Sequence, residues 1–325
     1  MANYPNRVAR EAGTAPGFIV VAGPTAGGKS ALALALAERL NGTIINADSM
    51  QVYRELRVLS ARPTVQTMAR VPHRLYGVLP AAERCTAARW CGLAGTAINE
   101  AWRTDRIPIV TGGTGFYLKA LEEGLAEIPD IPDAVRAQAR KQLDAQGSER
   151  LHAELALRDP VSAKRLAPGD SQRVLRAWEV VEATGRPLSY WQTQSGSAAI
   201  AGPRLRILLE PPRGALYLAC DARFERMMRR GALAEVKRLL AADLDPDLPA
   251  MKAIGIRDLA GLIEGRLDRA AAVTDAQQAT RRYAKRQSTW FRHQYAADLC
   301  LDRIDEPTVE QIVKAARRFG LTLPR

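Results

Sequence analysis

Residues 18–30 read FIVVAGPTAGGKS. An apolar run, Phe18 to Ala22, leads into Gly23, Pro24, Thr25, Ala26, Gly27, Gly28, Lys29 and Ser30. The spacing is G-x-x-x-x-G-K-[ST], that of a phosphate-binding loop. Its context agrees, with a strand-like run before it and a helix-forming run over 31–40 after it. Glycines let the backbone wrap so that several N–H groups face one phosphate, and the following helix points its positive end at the same place. Lys29 is expected to reach the terminal phosphates, and Ser30 to help hold a hydrated magnesium ion. The loop implies a phosphorylated ligand and leaves open which one.

The chain has 325 residues, too many for one small core, so two structural units or one domain with a large insertion are expected. Lys and Arg number 47 against 35 Asp and Glu, a formal net charge of +12. That excess points to a polyanionic partner. An anionic membrane surface is the alternative, but no long basic amphipathic helix flanked by aromatic anchors is present in the sequence. Four cysteines, at 85, 91, 220 and 300, have no C-x-x-C spacing, and there are three histidines. Neither a structural zinc site nor a disulfide framework is expected, and a reducing cytoplasm suits the usage. No run approaches the roughly eighteen apolar residues of a membrane span. Residues 1–16 lack a signal core and read as a short disordered lead-in.

A second strand is predicted over 43–45, running into NADSMQVY at 46–53. Asp48 sits just past that strand, where parallel α/β folds collect their chemistry. It could bind magnesium indirectly, act as a base, or cap a helix together with Ser49. Residues 57–80 read as a long, irregular, basic loop facing the ligand. A helix over 86–103 and a third strand over 107–110 follow, ending in TGGTGFY at 111–117. This is either a tight turn or a second backbone-lined loop, and after a third strand it should converge with the first at one sheet edge.

Helical patterns over 134–157, interrupted at Gly147, and over 170–183 flank the stop-and-start signal Asp159-Pro160. Gln172, Arg173 and Arg176 line the polar side of the second. A polar linker over 185–202, a returning strand over 206–209, one long helix over 216–240 and paired helices over 251–267 kinked at Gly255 complete the middle of the chain. Arg281, Arg282, Lys285, Arg286 and Arg292 then lie among Tyr283, Trp290, Phe291 and Tyr295. On a helix Arg282, Lys285 and Arg286 share a face. Basic residues with aromatics can grip a phosphate backbone and shape a base pocket; the alternative is that the aromatics are core and only the charges are wet.

Together these motifs resemble the tRNA dimethylallyltransferases, also called tRNA isopentenyltransferases. GPTAGGKS at 23–30, NADSMQVY at 46–53, PHRL at 72–75, GGTGFY at 112–117, DSQRVLRAWEV at 170–180, RFERM at 223–227, KAIG at 252–255 and TRRYAKRQSTWFR at 280–292 carry the resemblance. It implies an α/β fold, a P-loop NTPase-like parallel sheet core with a helical insertion domain and a helical C-terminal region. The first part of the core would span 17–126 and the insertion, which grips the anticodon stem-loop, 127–200. The span 201–325 would return to the core and add C-terminal helices with a basic tRNA-binding strip.

The implied reaction moves the dimethylallyl group of dimethylallyl diphosphate to N6 of the adenine 3′ of the anticodon, in tRNAs reading codons that begin with U. Diphosphate leaves, and the adenine is flipped out of its stack. The resemblance makes Asp48 the general base, with Thr114 and Arg223 beside it. Gly23, Thr25, Ala26, Gly27, Gly28, Lys29 and Ser30 would cradle the diphosphate, with magnesium held at Ser30 and Asp48. Gln51, Gln172, Arg173, Arg176, Arg281, Arg282, Lys285 and Arg286 would face RNA. A cytoplasmic monomer is expected. The sequence departs from the family at Gly27, usually serine, at 57–60, at Ala219, usually arginine, and at Ile256, usually tyrosine. The phosphate loop alone also suits an ATP-dependent small-molecule kinase, which leaves the basic aromatic segment and the insertion without a purpose.

Overall fold

The computed structural model describes residues 16–194 and 200–319. Residues 1–15 of the expected lead-in, and 195–199 of the expected linker, lie outside the described residues. The chain divides into two compact units, Met1–Glu122 with Ala199–Arg325, and Glu123–Ala198.

In the first unit β1 (Phe18–Ala22) leads through the phosphate loop to α1 (Lys29–Arg39) and β2 (Gly42–Asn46). The stretch expected to be irregular contains a short helix, α2 (Val65–Arg70), and a two-residue strand, β3 (His73–Arg74). Then come α3 (Ala87–Arg103), capped by the Thr86 hydroxyl, β4 (Ile107–Gly112) and α4 (Gly115–Glu123).

The second unit holds α5 (Asp133–Arg158), α6 (Pro160–Arg165), α7 (Ser171–Thr184) and α8 (Leu188–Thr193). The helical pattern of α5 breaks at Gly147, as its sequence indicates. Helix α8 corrects the expectation of a featureless linker; its N-terminal Pro187 has a fixed φ suited to starting a helix. Ala139, Leu151, Val174, Leu175 and Trp178 join α5 to α7, and Leu155, Ala163, Ala177 and Val181 bring in α6. Asp159 ties these turns together. Its carboxylate accepts from the N–H of Ser162 (3.0 Å), the N–H of Ser189 (3.1 Å) and the hydroxyl of Ser189 (2.7 Å).

Returning to the first unit, β5 (Arg204–Leu209) is followed by α9 (Arg213–Arg229) and α10 (Ala232–Ala241). The one long helix expected over 216–240 is therefore two. Gly231, at φ 94°, breaks it in a conformation that a residue with a Cβ rarely adopts. The pair expected over 251–267 is a 3₁₀ turn, Pro249–Lys252, and a single helix, α11 (Ile256–Ile263). Helix α12 (Arg269–Gln294), β6 (Leu299–Leu301) and α13 (Glu306–Arg318) close the described chain. The sequence alone pointed to neither β6 nor α13. Three residues are too short for a clear period, and α13 becomes a core element only through what it packs on.

All six strands are parallel, in the order β3-β2-β4-β1-β5-β6. The central β1 is buried along its whole length, which explains its unbroken apolar sequence. Ile19, Val21, Ile109 and Ile207 pack on Leu32, Leu36, Val309 and Ile312, so α1 and α13 cover one face. Truncating a side chain such as Leu36 there costs about 2–5 kcal/mol.

Candidate active site

Because the strands are parallel, their C-terminal ends share one edge. The loops after β2, β4 and β1, three neighbours in the sheet, therefore open side by side. They carry Asp48, Gly113-Thr114 and the phosphate loop. A cleft of about 290 Å³ opens at the first and last of them, and Gly113 and Thr114 stand behind its lining. Thr25, Asp48, Ser49, Ser60, Arg223 and Arg286 supply its polar wall; Met50, Leu59, Phe224, Met227 and Ile254 supply an apolar one.

Asp48 is held at both ends. Its N–H donates to Asn46 Oδ1 (2.9 Å), and its carbonyl accepts from Asn46 Nδ2 (3.0 Å). Asn46 is fully buried, with Nδ2 also donating to the Leu75 carbonyl (3.1 Å) and its own carbonyl accepting from the Trp90 indole (2.9 Å). Asp48 Oδ1 accepts from the Met50 N–H (2.9 Å), so the carboxylate also serves its own turn. Thr114 braces this loop from the neighbouring strand: its hydroxyl accepts from the Ser49 N–H (3.0 Å), and its N–H donates to the Ala47 carbonyl (3.3 Å).

In the phosphate loop Ala26 holds φ 61°, in the left-handed region where a Cβ is strained. Gly28 is the residue before α1; its carbonyl accepts from the Ala31 (3.0 Å) and Leu32 (3.2 Å) N–H groups, so the Lys29 and Ser30 N–H groups are the ones without a partner in the helix. Arg223 crosses from α9 to donate to the Thr25 hydroxyl (2.7 Å). Lys29 Nζ donates to the Pro24 carbonyl (2.7 Å), folded over its own loop. Burial lowers its pKa to about 8, opposed by the Asp48 carboxylate and reinforced by the Arg223 cation. The Tyr283 phenol lines the same cleft. Burial, then the nearby Asp48 charge, pushes it well above its ordinary value, so it stays protonated.

The residues proposed to face RNA are differently engaged. Gln51 Nε2 donates to the Ser60 carbonyl (2.8 Å), bracing the loop at the cleft rim. Arg281 pairs with Asp221 (2.6 Å), joining α12 to α9. Arg282 is exposed. Lys285 and Arg286, about 100° apart round one helix, open onto different hollows. Arg286 lines the cleft, while Lys285 lines a smaller one of about 110 Å³ with Arg213, Tyr217 and Arg292. The face expected for Arg282, Lys285 and Arg286 is thus split. In the helical unit Gln172 and Arg173 are exposed, Arg173 pairs with Asp170 (3.4 Å), and the half-buried Arg176 pairs with Glu179 (3.6 Å).

No group of three His, Cys, Asp or Glu side chains suited to a metal occurs among the described residues. Ser30 and Asp48 offer one hydroxyl and one carboxylate. That set is too small for a resident protein cage, but it suits a magnesium that keeps waters and takes its other ligands from phosphate oxygens.

Two residues that build the site, Asn46 and Gln287, were not singled out by their sequence context. The buried stripe of α12 runs Ala272, Ala276, Thr280, Ala284, Gln287, Phe291. A glutamine in such a stripe must find partners for both ends of its amide, and that periodicity is the signal by which it could have been found.

Two family descriptions match the chain, "IPP transferase" over residues 51–294 and "Isopentenyl transferase" over 17–78. The tRNA dimethylallyltransferase of Rhodospirillum centenum is 60% identical over 280 residues, 86% of this chain and 89% of the relative. That of Paramagnetospirillum magneticum is 48% identical over 307 residues, covering 94% and 98%. Among solved structures, the tRNA isopentenylpyrophosphate transferase of Bacillus halodurans has a TM-score of 0.67 at 29% identity, covering 94% of this chain and 97% of that one. A eukaryotic dimethylallyltransferase, described as acting on tRNA, has a TM-score of 0.79 at 25% identity, covering 96% and 81%.

Proposed function

The chain belongs to the IPP transferase family, and we propose from that premise how its cleft performs dimethylallyl transfer to tRNA. The enzyme moves the dimethylallyl group from dimethylallyl diphosphate to N6 of the adenine 3′ of the anticodon, in tRNAs reading codons that start with U. Family membership over most of the chain sets the kinase reading aside. The observation that carries the assignment is the convergence of Asp48, Thr25 and Arg223 on one cleft from three separate elements.

The loop from Gly23 to Ser30 and the Arg223 guanidinium take the diphosphate, and the apolar wall of Leu59, Phe224, Met227 and Ile254 takes the five-carbon chain. The N6 lone pair attacks C1 of the dimethylallyl group as the C1–O bond breaks, and diphosphate departs with the bonding electrons. The Asp48 carboxylate accepts the proton that N6 gives up. An exocyclic amine is a poor nucleophile, so a positioned base matters. Lys29, Arg223 and first-turn N–H groups meet the charge that builds on the leaving group. Ser30 and Asp48 would hold magnesium, which supplies further neutralisation of the diphosphate when bound. The apolar wall reduces the access of water to the reacting carbon.

RNA contacts are assigned to Gln51, Arg282, Lys285 and Arg286 in the core unit, with Arg281, paired with Asp221, contributing less, and to Gln172, Arg173 and Arg176 in the helical unit. We propose a monomer. Four cysteines free of disulfides support a reducing cytoplasm. Mass analysis of tRNA nucleosides after incubation with the protein, dimethylallyl diphosphate and magnesium tests the reading. A dimethylallyl adenosine at the position 3′ of the anticodon is expected; unmodified adenine there rejects it.

A further inference from the structure

Helix α12 approaches the catalytic loops at two points. Trp290 lies so near Gly115 that a Cβ built on that glycine would sit 2.1 Å from the indole. One turn earlier Gln287, only 6% exposed, reaches between the phosphate loop and the loop after β4. Its Oε1 accepts from the Thr25 N–H (2.8 Å), and its Nε2 donates to the Gly113 carbonyl (2.7 Å). The amide orientation is fixed by chemistry, because a backbone N–H can only donate and a carbonyl can only accept. A Cβ on Gly113 would lie 2.3 Å from Nε2, so glycine is what lets the amide come this close.

We propose that Gln287 is a positioning residue for the transfer reaction, a single buried amide that fixes the leaving-group side of the cleft relative to the base side. The inference rests on the reading of the cleft given above. On one side, Thr25 is also the anchor of Arg223, through its hydroxyl (2.7 Å). On the other, Gly113 precedes Thr114, whose hydroxyl holds the Ser49 N–H (3.0 Å) beside Asp48. A path of short bonds therefore runs from the Arg223 guanidinium through Thr25, Gln287 and the 113–114 backbone to the Asp48 turn. The Gln287 amide is 6% exposed and bonded at both ends to backbone, so it links the two loops directly. In-line transfer needs carbon, leaving oxygen and incoming nitrogen held together, and misplacement of about 1 Å costs on the order of a hundredfold in rate. Gln287 also occupies the Thr25 N–H, so this loop amide orients the loop while the Lys29 and Ser30 N–H groups at the start of α1 remain for phosphate.

The test uses the full-length protein with Gln287→Met, which keeps the side-chain length and loses both bonds. It also uses Gly113→Ala, which leaves Gln287 in place and displaces its amide. Both variants should lower kcat by about a hundredfold and raise KM for dimethylallyl diphosphate, with the Kd for tRNA unchanged. In a double-mutant cycle, Gln287→Met and Arg223→Lys should be non-additive, because both act through Thr25. Gln287→Met with Arg282→Ala should be additive. Wild-type kcat and donor KM per folded molecule in Gln287→Met, whether or not its Tm falls, would overturn the proposal and leave Gln287 a packing residue. If Gln287→Met does not fold, Gly113→Ala decides on the same readouts. The proposal can fail separately from the reading of function. Weakened binding of inorganic pyrophosphate by both variants supports it even if no RNA product forms, and unchanged pyrophosphate binding with unchanged kcat rejects it.

Discussion

Asp48 and Lys29 make opposite demands on solvent. The carboxylate keeps one oxygen on the Met50 N–H, and Asp48→Ala removes the proposed base and leaves the RNA surface intact. Turnover should fall about 10²–10⁴-fold with tRNA binding retained; weakened binding with normal turnover of bound RNA would refute the assignment. Lys29 loses its hydration by burial, and its pKa falls to about 8 from an ordinary value of 10.5. An arriving diphosphate favours the ammonium and raises that value. Binding therefore takes up a proton at pH values above about 8, and affinity declines as pH rises through about 8. Titration calorimetry of inorganic pyrophosphate at pH 9 in buffers of different ionisation enthalpy should show the uptake; a buffer-independent heat would contradict it. Both residues were legible in the sequence, because a loop that wraps phosphate and an acid past a strand end are local patterns. Gln287 was not, because its partners Thr25 and Gly113 lie far away along the chain, and Asn46 was not, because its local bonds to Asp48 become a buried brace only with Leu75 and Trp90 packed on it.

Helix α12 shows how one basic segment serves three purposes. Arg281 is committed to Asp221, Arg286 to the cleft, and Arg282 faces solvent. Arg282→Ala should weaken tRNA binding and reduce the slope of log K against log salt by roughly 0.7–0.9 for each phosphate it no longer neutralises. Arg281→Ala should instead lower Tm with a smaller change in that slope, since its charge is already neutralised within the fold. Equal slopes for wild type and Arg282→Ala in filter-binding titrations would sink this division. Sequence showed the charges and the period. It put Arg282, Lys285 and Arg286 on one face, whereas in the fold Arg286 lines the cleft, Lys285 lines a separate hollow beside α9, and Arg282 faces solvent. The boundaries of α1, α3, β1 and β4 were close to legible for the same reason in reverse: caps such as Thr86, and runs such as Phe18 to Ala22, act over a few residues.

The two units rest on different chemistry, a parallel sheet in one and a helical cluster pinned by Asp159 in the other. Burial alone would raise the Asp159 pKa. Hydrogen bonds from Ser162 and Ser189 outweigh it and hold the carboxyl below its ordinary value. Its contribution to stability is therefore full above the unfolded carboxyl value and is lost as pH falls through the folded one. Asp159→Ala removes a cap and leaves the Ser189 hydroxyl without its acceptor, at a cost of about 1–3 kcal/mol. Hydrogen exchange should speed up over 123–194 and not in β1, β4 or β5. Uniform acceleration through both units would show that Asp159 has no such local role.

The order of local signals was enough to specify a parallel α/β core with a phosphate loop and an acid at the next strand end, and to recognise the family. Which charges reach the cleft, the break of 216–240 into α9 and α10, the addition of β6 and α13, and the bridge made by Gln287 were decided only when distant segments packed. The physical reason is range. Turn chemistry, caps and periodicity act between residues a few positions apart, whereas a buried amide or a shared helix face is defined by partners that only the folded chain brings within hydrogen-bonding distance.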